Sequence, residues 1–187
     1  MPPKVRITKE DIVKTAIELV RVSGAKSINA RAVASLLNCS TQPIFSNFAT
    51  MEELEKATQV AAYEHYLSFL DAEVKRGEYP KYKSFGMAYI RFAGEEKELF
   101  KLLFMRNRTN EDLTPSNDFN ESVQMIMSSN GITYDKAVLM HMECWSAVHG
   151  IAVMIATSFL TLEWEYISNM VTDIYQGIRA RHLSEEK

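Results

Sequence analysis

The sequence predicts an all-α protein of about nine helices, and three observations predict it. Apolar residues recur three and four apart along nearly the whole chain. No long stretch alternates apolar and polar residues, as a half-buried strand would. Glycine and proline, seven and five in 187 residues, are scarce enough to leave long helices uninterrupted.

The elements follow in order. Thr8 opens the first helix, with Asp11 three residues on as a variant of the capping box. Ile12, Ala16, Leu19 and Val20 form its apolar face, widened by Val13 and Ile17. Ser23-Gly24 ends it, since glycine adopts the left-handed cap conformation without steric cost. Asn29 caps a second helix whose inward face is Val33, Ala34 and Leu37. Asn38 stands where a left-handed turn residue is wanted. Ser40 is expected to cap a third helix, with Pro43 in its first turn and Ile44 and Phe48 turned inward. Thr50 and Glu53 form a T-x-x-E box that opens a long helix to about Arg76. A break at 77–80 precedes helices at about 81–93 and 96–105. The polar segment 106–116 reads as a loop. Helices at about 117–129, 135–160 and 163–183 complete the chain.

Charge is divided unevenly. Residues 1–48 hold seven basic and three acidic residues, a net of +4; residues 49–187 hold fourteen basic and 21 acidic, a net of −7. A basic head on an acidic body suits a small nucleic-acid-binding domain, 1–49, joined to a domain with another task, 50–187. Cys39 and Cys144 form neither a metal spacing nor a disulfide framework. No signal peptide precedes the first amphipathic segment, and the apolar run 150–160 is too short to span a bilayer. These features predict a cytoplasmic protein with no membrane partner.

The segment 29–48, NARAVASLLNCSTQPIFSNF, reads as two short helices around a tight turn, the arrangement of a helix-turn-helix reader of double-stranded DNA. With Ile44 and Phe48 committed inward, Thr41, Gln42, Pro43, Phe45, Ser46 and Asn47 face out. Gln42 and Asn47 can pair bidentately with adenine. Thr41 and Ser46 can bond base edges or phosphate. Pro43 and Phe45 can meet a thymine methyl. The N–H groups at the helix starts capped by Asn29 and Ser40 suit phosphate. Arg31 lies near the expected backbone path, and Lys4 and Arg6 sit on a short arm suited to phosphate or minor-groove contact. An ordinary small helical subdomain shares this spacing.

Residue types at these positions resemble the N-terminal domain of the TetR family of bacterial transcriptional regulators. The match uses Gly24 at the end of the first helix and Asn29, Arg31, Val33 and Ala34 on the second. Asn38, Cys39 and Ser40 stand at the turn, and Ile44, Phe45, Asn47 and Phe48 on the reading helix. Thr50, Glu52, Glu53 and Leu54 match the start of the fourth helix. The resemblance covers about residues 8–57. It implies an N-terminal three-helix DNA-binding domain, a helical ligand-binding and dimerisation domain, and a homodimer that reads a palindromic operator. Three positions depart from the family pattern. Phe45 stands where tyrosine is usual, Asn47 where histidine or tyrosine is common, and Ala49 where a phosphate-contacting lysine is frequent. The departures predict weaker nonspecific affinity and a shallower salt dependence.

The body resembles the subgroup of that family marked by Trp-x-x-x-His-Gly, present as Trp145, His149 and Gly150. Tyr89, Arg91, Phe92 and Ala93, and the run LFKLLF at 99–104, extend this resemblance over about residues 85–155. His141, Trp145 and His149 fall four apart on one helical stripe, which reads as a pocket wall or as a packed aromatic stripe with bonded core histidines. Methionine adapts to irregular cavities, and several of the ten lie near aromatics in the helical plan. Tyr89, Phe92, Phe104, Met105, Met125, Trp145 and His149 are therefore the expected contacts of a small apolar or aromatic effector of unknown identity. Two apolar faces, Val148, Ile151, Ala152 and Ile155, and Met170, Val171, Ile174 and Ile178 with Ile167, are expected to form a dimeric four-helix bundle, unless the monomer uses them internally. His141, Cys144 and His149 do not make a metal set, and no cofactor is implied. Two rival readings stand beside the regulator, which is expected to be a repressor. One is an all-α enzyme using His149, His141 and Glu143. The other is a helical interaction module that has lost DNA binding.

Overall fold

The computed structural model describes residues 7–109 and 117–184. Among these residues it contains nine α-helices, one short 3-10 turn and no strand. The helices are α1 (Lys9–Ser23), α2 (Ala30–Leu36), α3 (Gln42–Asn47), α4 (Met51–Arg76), α5 (Lys81–Glu95), α6 (Lys97–Phe104), α7 (Asn117–Asn130), α8 (Tyr134–Ala156) and α9 (Trp164–Ser184). They divide into two compact units. The first holds the described residues up to Ser68 together with Glu96–Arg106. The second holds Phe69–Glu95 and the described residues from Asn107 onward. The 49/50 boundary expected from function therefore falls inside the first unit, and α4 is shared between the two.

In the first unit α1 packs on α2 and α6, and α2 packs on α3. The Thr8–Asp11 capping box forms in both directions: Asp11 N–H donates to Thr8 Oγ1 at 3.1 Å and Thr8 N–H to Asp11 Oδ2 at 3.0 Å. Gly24 ends α1 at φ 75°, where a Cβ would also lie 3.0 Å from Glu98 Oε2. Ile12, Ala16 and Val20 of α1, with Val33, Ile44, Leu54, Leu99 and Phe100, are each fully buried in this unit. The helix-turn-helix corner is a Schellman motif. Asn38 takes φ 51°, Cys39 N–H donates to Ala34 O at 3.0 Å, and Asn38 N–H to Ser35 O at 3.2 Å.

Two expected caps are corrected. Thr41, not Ser40, is the N-cap of α3, and it makes no side-chain cap bond. The hydrogen bonds set this: Thr41 O accepts the first bonds of the helix, from Phe45 N–H at 3.2 Å and Ile44 N–H at 3.1 Å. At the start of α4, Thr50 Oγ1 accepts from Glu53 N–H at 3.2 Å, but the Glu53 carboxylate reaches the N–H of Ala49 rather than that of Thr50, at 2.7 Å.

In the second unit α8 lies against α5, α7 and α9. Helices α5 and α8 run parallel, because Tyr82, Gly86, Tyr89 and Gly94 meet His141, Val148, His149 and Ile155 in the same order. Gly86 and Gly94 allow this approach: a Cβ at either position would touch Val148 or Ile155 at 3.4 Å. Val123, Ile126, Ile132, Ala137 and Met140 close the α7–α8 side. Helix α8 ends at Ala156, four residues short of the expected 160. A second Schellman motif stops it, with Ser158 at φ 57° and Phe159 N–H donating to Met154 O at 2.9 Å. By length and composition α8 is apolar enough to cross a membrane, and its residues Ala137, Met140, Ile151 and Ala152 are buried within this unit as in the core helix of a globular domain.

Candidate functional site

The face offered by α2, the turn and α3 is built from short helices held from behind. Ile44 is fully buried and Phe48 is 5% exposed, so the opposite side of α3 is turned out. Gln42, Phe45 and Ser46 are exposed, and Thr41, Pro43 and Asn47 are half-buried. Hydrogen bonding sorts these residues. Ser46 Oγ donates to Gln42 O at 2.9 Å and Asn47 Nδ2 to Pro43 O at 2.8 Å, so both side chains are engaged on their own helix. Among the described residues the Gln42 side chain makes no such bond, and Thr41 makes no side-chain cap bond. Asn29 is also engaged: its Oδ1 accepts from Ala32 N–H at 2.9 Å and its Nδ2 donates to Ser27 O at 3.0 Å. Arg31 and Ser40 are exposed. Lys4 and Arg6 lie outside the described residues.

Sequence reasoning missed a charged cluster that braces this head. Arg21 of α1 donates from Nε to Glu96 Oε2 at 2.9 Å and from Nη2 to Oε1 at 2.6 Å, the second oxygen lying 2.8 Å from His65 Nε2 of α4. Glu96 also precedes α6 as its N-cap residue. Partial burial pushes its carboxyl pKa up, but hydrogen bonds from Arg21 and His65 outweigh this and leave it below its ordinary 4.5. A carboxyl depressed on folding stabilises the native state above the unfolded value and loses that contribution as pH falls through the folded one. The melting-temperature gap between wild type and Glu96→Gln is therefore expected to be constant above pH 4.5 and to shrink on acidification. A gap independent of pH from 3 to 7 would contradict this.

In the second unit, two tyrosines of α5 meet two histidines of α8. Tyr89 Oη lies 2.8 Å from His149 Nδ1, and Tyr82 Oη lies 2.9 Å from His141 Nδ1. Burial lowers the pKa of both histidines and raises that of both tyrosines, so each pair is neutral and the hydroxyl donates to Nδ1. The Trp145 indole stacks on His149, with ring centroids 5.0 Å apart and planes at 14°. His141 is instead enclosed, with Phe119 edge-on at 5.0 Å. Cys144 is buried nearby, and desolvation pushes its thiol up to about 11.

The structure thus brings together Tyr89, Trp145 and His149 of the expected effector contacts. Phe92 is fully buried against Phe69, and Met125 is half-buried on α7. Phe104 and Met105 belong to the first unit, where Phe104 packs on Tyr66 and Phe100 and Met105 is exposed. Glu143, named in the enzyme reading, bonds His182 of α9 at 2.8 Å and is not paired with His141 or His149 in these contacts. Of the residues expected at a dimer interface, Val148, Ile151, Ala152 and Val171 are buried within their own chain, because α5, α7 and α9 already cover them. Ile155, Met170, Ile174 and Ile178 are half-buried, Ile155 against Gly94 and Ile178 against the α7–α8 core. The exposed large apolar side chains are instead Tyr134, Leu139, Met142 and Trp145 on α8 and Tyr166 on α9.

A second cluster anchors the far part of α4. Glu73, 3% exposed, accepts from Arg91 Nε at 3.1 Å and lies 3.4 Å from Arg76 Nη1, and the Arg91 guanidinium sits 4.2 Å over the Trp164 ring.

The architecture has known counterparts. The crystal structure of a TetR-like transcriptional regulator from Rhodococcus sp. RHA1 superposes with a TM-score of 0.67 at 15% identity, covering 98% of each chain. A member of the TetR family from Streptomyces coelicolor A3 superposes with a TM-score of 0.64 at 16% identity, covering 89% of this chain and 96% of that one. This is the TetR-like fold. Residues 82–168, spanning most of α5 to the start of α9, match the family described as the tetracyclin repressor-like C-terminal domain. No curated protein matches the chain in sequence. In a TetR-like frame the α2–α3 face is the head and α5, α7, α8 and α9 make up the body.

Proposed function

We propose that this chain is a homodimeric, ligand-responsive transcriptional regulator of the TetR family, acting in the cytoplasm as a repressor rather than as an enzyme. The observation that carries the reading is the α2–α3 corner. Two short helices join through a left-handed Asn38, and the outer side of α3 is free of core duties. Gln42 is the principal base reader and Thr41 its neighbour, while Arg31 holds phosphate. Helix α4 is the transmitting element. It is tied in the first unit at His65 by Arg21 and Glu96, and in the second at Glu73 by Arg91. An effector bound differently in two states of the body shifts α4 and with it the spacing of two heads. Paired heads need half-sites about 34–36 Å apart.

Selection of genomic fragments by the purified protein tests the reading, followed by mobility shifts. Gln42→Ala is expected to cost about 1–3 kcal/mol at the selected site and to relax specificity there. Arg31→Ala is expected to weaken all sequences alike and to flatten the salt dependence. Equal effects of both changes on every sequence would overturn these roles, and failure to retard any fragment at low salt would favour the interaction-module reading. The dimer is proposed to use the exposed faces of α8 and α9, where Leu139, Met142 and Tyr166 stand out and Gly150 and Gly177 leave open space. Light scattering at micromolar concentration is expected to give twice the chain mass, and Met142→Glu to shift it toward the monomer. A monomeric wild type would sink the spacing mechanism.

A further inference from the structure

Helices α5, α7, α8 and α9 converge on a polar contact inside the second unit. Tyr82 Oη of α5 meets His141 Nδ1 of α8 at 2.9 Å. Phe119 of α7 stands edge-on to the imidazole, and the Tyr175 ring of α9 lies 5.7 Å from that of Tyr82. His141 is buried, and the buried Cys144 thiol borders Tyr82. Farther along the same two helices, Tyr89 and His149 repeat the bridge at 2.8 Å.

The charged groups around His141 give it no counter-ion. On its own helix, Glu143 bonds His182, and desolvation keeps Cys144 protonated. On α5, Lys81 pairs with Glu121 of α7, and Lys83 bonds Ser168 and Thr172 of α9. On the α9 side, Tyr175 leads through Asn130 to Arg179, a further positive charge. Burial holds the imidazole below its ordinary 6.5, and neither Asp118 of α7 nor Lys136 of α8 offsets this. Protonation therefore has two costs. It sets a charge without a counter-ion among aromatic rings. It also takes away the acceptor of the Tyr82 hydroxyl. That hydroxyl can turn to accept from the charged ring, but its own proton then faces the Cys144 sulfur, a weak acceptor.

We propose that the Tyr82–His141 contact is an acid-sensitive latch, closed while the imidazole is neutral, that holds α5 to α8. Opening reaches α4, because Arg91 farther along α5 holds Glu73. The latch acts on the packing of the body itself and depends neither on DNA binding nor on an effector. A histidine whose pKa is lowered on folding contributes stability that is present above its unfolded value and lost as pH falls through the folded one. The latch therefore weakens as pH falls from 6.5, above the range in which Glu96 titrates.

Hydrogen exchange of the full-length chain at pH 7.5 and 5.5, corrected for the intrinsic pH dependence of exchange, tests the proposal. Amides of residues 82–89 are expected to lose protection at pH 5.5 by about three- to tenfold, tenfold being the limit for one proton over one pH unit. His141→Asn keeps an acceptor near the place of Nδ1 and does not titrate. It is expected to remove most of the loss, the Tyr89–His149 bridge carrying the remainder. Circular dichroism reports whether this variant folds. A second measurement needs no variant: the C2–H signal of His141 in labelled wild type is expected to titrate below 6.5, with the Tyr82 ring signals moving at the same midpoint. Titration at or above 6.5, equal protection of 82–89 at the two pH values, or an undiminished loss in folded His141→Asn overturns the proposal.

Discussion

Ile44→Ala is expected to disable DNA binding while leaving the body folded. Helix α3 has six residues, far fewer than an isolated helix needs to persist in water. It is held by tertiary contact, and Ile44 is its one fully buried side chain, assisted by Phe48 at its C-cap. Truncating a fully buried isoleucine costs about 2–5 kcal/mol through lost transfer energy and a residual cavity. Here the loss falls on a helix with almost nothing else to hold it. Affinity for a selected fragment is expected to drop more than about 100-fold, a loss of about 2.7 kcal/mol. Residues such as Phe92 and Met140 lie in the second unit, so most of the helical signal and the dimer should persist. Unchanged mobility shifts with Ile44→Ala would show that α3 does not read DNA in this pose. Phe45→Ala is the control for stability alone, because Phe45 is 52% exposed, so any affinity it loses reports a DNA contact rather than an unfolded α3.

Arg91→Ala is expected to destabilise the second unit by about 3–5 kcal/mol, as removal of one partner from a buried ion pair does. The Glu73 side chain is 2% exposed, and after the change its remaining partner of those seen here is Arg76, which is 47% exposed and 3.4 Å away. The stacking of the guanidinium on Trp164 is lost as well. Urea unfolding measures the effect, and a double-mutant cycle with Glu73→Gln isolates the pair. If the carboxylate is the source of the penalty, Glu73→Gln/Arg91→Ala is more stable than Arg91→Ala alone. An Arg91→Ala variant within 1 kcal/mol of wild type would show that water reaches Glu73 and that the cluster does not hold α4.

Much of the fold was legible because its signals are local. Thr8 with Asp11, Asn29 and Asn38 announce caps and turns through bonds made within five residues, and the structure has each of them. The inward assignment of Ile44 and Phe48 followed from their spacing of four. The end of α8 was not legible in the same way. Its left-handed residue is Ser158, with neither glycine nor asparagine to mark it, and the apolar run continues through Phe159 and Leu160. Nor could spacing tell which side of an apolar helix its own chain would cover. Val148 and Ile151 on one helix, and Val171 on another, look like free faces in sequence and are buried in the single chain.

The sequence by itself determined the helices, their caps, the helix-turn-helix corner and the set of outward residues on α3. These depend on periods of 3.6 and on hydrogen bonds of short reach. Tertiary structure decided which side of α3 is turned out, by burying Ile44 and Phe48 behind it; on that outer side Ser46 and Asn47 bond back to their own helix. It also decided the partners of Arg21, Glu73, Tyr89 and His149, which are drawn from positions 75, 18 and 60 residues away. Such pairings depend on how helices cross, and no local pattern encodes a crossing.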